Sequence, residues 1–163
     1  GDMRFLSLPR RGLTLIELMA TLAISVILFG MAAPYLGDYM VNSRLREAGN
    51  ALLAETLYAQ GEALKRNVST RFIIDGGEIQ VRDMSAGGDG TLLRQRLLGD
   101  GLTARAAAQI DFSSRGTPLP FGTATAIDID KSGVTCSAEA RCPGLRVDGG
   151  GGVRLCANRL DCP

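Results

Sequence analysis

The chain is predicted to be an α+β protein, with a long N-terminal helix that spans a membrane in its first half and packs on a small, mainly antiparallel β-sheet domain. Three observations predict this. From Leu18 to Gly37 there are twenty residues without a charge, the length that crosses an apolar bilayer core of about 30 Å as a helix. From Val41 to Arg66 apolar residues recur at helical spacing, with charges between them. After Asn67 the apolar period shortens to that of strands, and Gly, Pro and Ser separate short runs.

The N-terminal segment is the most informative. Arg4, Arg10 and Arg11 precede the apolar run and Asp38 follows it, so the charge asymmetry leaves the N-terminus cytoplasmic. Glu17 sits inside the start of the helix. An acid at the edge of an apolar span is costly to place in lipid, so it marks a functional site whose partner is another charge. Three readings fit the leader. A secretory signal would be cut near Gly30-Met31-Ala32, but Glu17 interrupts its apolar region and the helical pattern continues past the cut. A plain anchor accounts for the topology and leaves Gly12 and Glu17 unexplained. The third reading is a leader cut ahead of the apolar segment on the cytoplasmic side, which leaves the hydrophobic helix on the mature protein.

Beyond the span, Val41, Leu45, Ala48, Leu52, Leu57 and Leu64 predict one face of a continuing helix, with Arg46, Glu47, Glu55 and Glu62 in the other positions. Leu13 to Arg66 would then form a rod about 80 Å long at 1.5 Å per residue. Gly30, Gly37, Gly49 and Gly61 each weaken it by about 1 kcal/mol relative to alanine. Pro34 removes one internal hydrogen bond and should bend it. The expected organisation is residues 1–12 as leader, 13–37 as membrane helix, 38–66 as amphipathic continuation and 67–163 as a β-rich head. Strands are expected over Val68–Asp75, Glu78–Asp83, Leu92–Leu98, Ala108–Ser113, Thr123–Asp130, Gly144–Asp148 and Gly152–Leu155. Gly76-Gly77 between the first two signals a hairpin.

Composition narrows the function classes. There is no histidine, which removes the commonest general base and the commonest zinc ligand. No Gly-x-Ser-x-Gly elbow and no Gly-Lys-Ser/Thr phosphate loop occurs. An enzyme is not expected, and neither is a cofactor. Gly87-Gly88-Asp89-Gly90 and Asp148-Gly149-Gly150-Gly151-Gly152 read as turns. Removing Arg4, Arg10, Arg11, Asp2 and Glu17 from 18 basic and 17 acidic residues leaves 15 of each, so general nucleic-acid coating is disfavoured. Cys136 and Cys142 have five residues between them, as do Cys156 and Cys162. That spacing suits zinc poorly, and no metal is expected. On the oxidising side of a membrane two local disulfides are the economical pairing, although three connectivities satisfy the count.

Gly12-Leu13-Thr14-Leu15-Ile16-Glu17-Leu18 resembles the processing site of type IV prepilins and type II secretion pseudopilins. The resemblance implies cleavage by a prepilin peptidase between Gly12 and Leu13, methylation of Leu13, an assembly role for Glu17 and a helix kink at Pro34. Leu13 departs from the usual phenylalanine. The stretch Ala48 to Val68, the segment Ile110 to Pro118 and the run Gly152-Val153-Arg154-Leu155-Cys156 are similar to the GspH/FimT minor-pilin family. This implies a protein that primes or caps a type IV pilus, its head in the periplasm and its helix in the inner membrane, with other pilins as partners. The alternative is a GspH-type minor pseudopilin of type II secretion. Some members bind DNA through a C-terminal Gly-Arg-x-Arg segment. Gly152 replaces the first of those arginines here, and Arg154 keeps the second. Arg146, Arg154 and Arg159 would be the DNA contacts, against the blander reading of a solvated strand end.

Overall fold

The computed structural model describes residues 12–163. They divide into two compact units with a boundary after Gly37, and helix α1, Leu15–Arg66, contributes to both. In the first unit, Leu15, Ile16, Val26, Phe29 and Met31 are all exposed. Two hydroxyls of this stretch are satisfied within the helix: Thr21 Oγ1 donates to the Leu18 carbonyl at 2.9 Å and Ser25 Oγ to the Thr21 carbonyl at 2.7 Å. An apolar surface with internally satisfied polar groups suits hydrocarbon rather than water.

In the second unit the helix buries Leu45, Ala48, Gly49, Leu52, Glu55, Thr56, Ala59, Glu62 and Ala63, a stripe at the i, i+3, i+4, i+7 spacing of one helical face. The expected face was partly wrong. Leu57 and Leu64 are 46% and 54% exposed, while Glu55 and Glu62, expected outside, lie on the buried stripe. Tertiary approach explains the difference. A face of Ala and Gly lets the helix lie close to the sheets, and larger leucines one position round stay outside. Arginines then come to the two buried acids. Glu62 is held by Arg66 at 2.6 Å and Lys65 at 3.7 Å, and Glu55 by Arg94 at 3.7 Å and Arg96 at 3.5 Å.

The helix ends at Asn67, whose φ of 53° is left-handed. The Val68 N–H then donates to the Ala63 carbonyl at 3.2 Å, closing the last turn. Nine strands follow: β1 Thr70–Asp75, β2 Glu78–Asp83, β3 Thr91–Leu97, β4 Leu102–Ala104, β5 Ala108–Phe112, β6 Pro118–Leu119, β7 Thr125–Lys131, β8 Gly144–Val147 and β9 Val153–Cys156. They form two sheets, ordered β3-β2-β1-β5-β6 and β4-β7-β8-β9. Every pairing is antiparallel, as expected. The Gly76-Gly77 hairpin joins β1 to β2 with Asp75 opposite Glu78.

The alternation that marked the strands also builds the core. Phe72, Ile74, Ile79, Val81, Ile110 and Phe112 point inward from the first sheet, and Ile127, Ile129, Leu145 and Val147 from the second. With Leu45 and Leu52 they form one cluster in which Phe72 and Phe112 are the largest buried side chains. Strands β4 and β6 were not anticipated. With three and two residues, they are too short to show a period. β6 also begins with Pro118, which cannot donate and so belongs at a sheet edge.

Candidate functional site

Gly12, Leu13 and Thr14 precede the helix. Leu13 is 72% exposed, and a Cβ added at Gly12 would meet nothing within 4 Å. No packing demand in the described residues therefore requires glycine here.

Thr14 caps the helix. Its Oγ1 accepts the Glu17 N–H at 3.3 Å, and its carbonyl accepts the Leu18 N–H at 3.0 Å. Thr14-x-x-Glu17 has the spacing of a capping box, in which the hydroxyl satisfies one orphan N–H of the first turn. Glu17, in that first turn, also carries its negative charge toward the positive end of the helix dipole. The sequence reading singled out Glu17 and missed Thr14, although the Thr-x-x-Glu pattern was present to find it. Glu17 forms no ion pair among the described residues and is exposed, so its charge is available to a partner. Pro34 lies within α1, where its missing N–H leaves the Gly30 carbonyl without its helical donor.

At the other end of the chain the cysteines pair as Cys136–Cys142 and Cys156–Cys162, with Cα separations of 5.5 and 5.6 Å. The two closed loops support each other. Asn158 Nδ2 donates to the Ser137 carbonyl at 2.9 Å, and the Arg159 N–H donates to the Cys142 carbonyl at 2.7 Å. Asn42 fastens the first loop to the helix, with Nδ2 donating to the Glu139 carbonyl at 2.9 Å and Oδ1 accepting the Arg141 N–H at 3.1 Å. Asp130 lies beside Cys136 and Cys142, but both sulfurs are spent in the disulfide and offer no thiolate to a metal.

The three arginines considered for DNA do not form a common patch. Arg146 and Arg154 are register partners on β8 and β9 and line a groove of about 490 Å³ with Thr125, Asp148 and Pro163. Arg146 is already paired with Asp128 at 2.8 Å. Arg159 is half-buried and paired with Asp130, and does not line the groove. Arg154 is exposed and donates to the Pro163 carbonyl at 3.1 Å.

Comparison with known proteins agrees with this arrangement. Residues 8–33 match the prokaryotic N-terminal methylation motif, and residues 48–151 match the type II transport protein GspH family. Among solved structures, the crystal structure of the Pseudomonas aeruginosa PAO1 type IV minor pilin FimU in space group P21 is 22% identical. It aligns over 69% of this chain and 88% of its own, with a TM-score of 0.57. The same FimU protein in space group P65 is 24% identical over 68% of this chain and 90% of its own, with a TM-score of 0.54. Both show a shared pilin-like fold. No curated protein matches significantly. The GspH match covers more than half of the chain and follows a methylation motif on an apolar helix, so the chain belongs to the GspH/FimT family of the pilin and pseudopilin superfamily.

Proposed function

We propose that this protein is a minor type IV pilin that primes or caps filament assembly once a prepilin peptidase has cut its leader between Gly12 and Leu13. One observation carries the reading: an exposed, sterically unconstrained glycine stands just ahead of the Thr14 cap of a helix whose first turn holds an acid and whose next twenty residues hold no charge. In this reading residues 1–12 are the leader and 13–37 the inner-membrane span, and the head stands in the periplasm.

Cleavage frees the α-amino group of Leu13, which is then methylated. Glu17 of one subunit attracts the amino group of its neighbour while the apolar helices pack together. The attraction is large in a low-dielectric interior, but desolvation offsets much of it. The pair therefore selects register as much as it adds stability. Other pilins are the partners, and no cofactor enters.

Membership of the GspH family supports a second reading, a minor pseudopilin of type II secretion, which uses the same N-terminal chemistry. DNA binding for transformation is the weaker third, because Asp128 and Asp130 already neutralise Arg146 and Arg159.

The test is processing followed by assembly. Gly12→Ala should accumulate longer, unmethylated precursor, and Glu17→Ala should mature normally and fail to enter filaments. Gly12→Ala protein that matures to wild-type mass would overturn the reading. Deleting type II secretion or pilus components in turn shows which machine recruits the wild-type protein.

A further inference from the structure

We propose that the outer edge of β3 is a docking site for an extended segment of a different protein chain, one that alternates carboxylates with aliphatic residues. β3 is the terminal strand of its sheet and pairs only with β2. It is seven residues long, and six of them are exposed. A strand this long with an open edge presents a row of unpaired N–H and C=O groups, which another chain can extend.

The two faces of the strand define what the added chain must carry. Arg94 and Arg96 sit opposite Val81 and Ile79, both buried, so these arginines lie on the helix-facing side. There Arg94 stacks 3.7 Å over the Tyr58 ring. Both guanidiniums share a single oxygen of Glu55, at 3.7 and 3.5 Å. Among the described residues the Arg94 guanidinium makes no hydrogen bond and that of Arg96 makes only the one to Glu55, at 3.5 Å. Two half-exposed cations with one carboxylate between them leave an excess positive charge and several free N–H donors. On the opposite face Leu97 is 70% exposed beside Gln95, and the register shift between Leu92 and Arg94 brings Leu92, 44% exposed, to that same face. An added strand therefore meets guanidiniums on one face and leucines on the other. Side chains alternate between faces with a period of two, so acid and aliphatic residues in alternation satisfy both.

The same charges disfavour a second copy of this chain in its in-register pairings. An antiparallel pair of β3 strands centred on Gln95 sets Arg94 opposite Arg96 twice, and a parallel pair in register stacks each arginine on itself. Like charges directly opposite each other destabilise a strand pair, so the edge rejects itself and selects an acidic partner.

The surface can be tested without assuming any filament. The probe is a capped seven-residue peptide of alternating valine and glutamate, added to full-length protein in detergent micelles. Hydrogen exchange over residues 91–97 should slow, and a peptide methylated on its edge-facing backbone nitrogens should not slow it. The valine–lysine counterpart should bind at least about tenfold more weakly, the scale of one charge-assisted pair. Substituting Glu55→Gln, Arg94→Gln and Arg96→Gln together avoids leaving a buried charge unpaired, and should remove the preference for glutamate over lysine. The proposal is overturned by an absence of protection with the glutamate peptide, by equal binding of both peptides to wild-type protein, by protection that appears only with duplex DNA, or by protection that grows with protein concentration alone.

Discussion

Gly49 and Gly61 lie in the same helix and look equivalent in the sequence, yet they predict opposite outcomes. A Cβ at Gly49 would fall 2.8 Å from Pro143 Cβ and 3.1 Å from its Cγ, which is too close for a rigid ring to relieve. Gly49→Ala should therefore cost about 1–3 kcal/mol as overpacking. A Cβ at Gly61 meets nothing within 4 Å, so Gly61→Ala should raise stability by up to about 1 kcal/mol through helix propensity. Thermal unfolding of the two variants side by side checks both signs. Arg66 shows a different kind of residue-level control. Its hydrogen bond holds the Glu62 carboxyl below the ordinary value, and burial works against that shift. Asp83, bonded to Ser85 and near Arg66, is lowered as well. A depressed carboxyl adds stability above its unfolded pKa and loses it as pH falls through the folded one. The stability gap between wild type and Arg66→Gln should therefore be widest near neutrality and close under acid, as denaturant titrations across pH would show.

Among the elements, the two disulfide loops have equal length and unequal depth. Cys142 is fully buried in the core cluster, and Cys156 and Cys162 are half-buried. Each bridge closes a short loop and contributes about 2 kcal/mol by chain entropy. Replacing Cys136 and Cys142 by serine should cost more than replacing Cys156 and Cys162, since it also places a hydroxyl in an apolar site. Urea midpoints of the two double variants measure the difference. Gln60 links elements in another way: its Nε2 donates to the Gly116 carbonyl at 2.6 Å and the Gly151 carbonyl at 2.8 Å, tying one turn from each sheet to the helix. β1 and β5 are held by a forked pair, Arg71 to Asp111 at 2.7 and 3.1 Å, and the two residues are register partners.

At the scale of the whole molecule, the apolar run, the glycine before it, the acid within it and the alternating strands were all legible in the amino-acid order. Each depends on local periodicity or on a short motif, and neighbours along the chain suffice to specify it. Seven strands were legible for the same reason, whereas the cysteine spacing favoured two short loops and left three connectivities open until the fold paired them. Strands β4 and β6 were not, being shorter than the period that would reveal them. The buried face of the head helix was not legible either. Leu57 looked like core and Glu55 like surface, and their places depend on how closely a small-residue face can approach two sheets and on which arginines stand across the gap. The DNA candidates follow the same rule. Arg146, Arg154 and Arg159 appear as equal charges in sequence, and the distant carboxylates of Asp128 and Asp130 separate them. Residues far apart in the chain become neighbours only when the sheets assemble, so solvation and pairing of individual charges were decided by long-range packing.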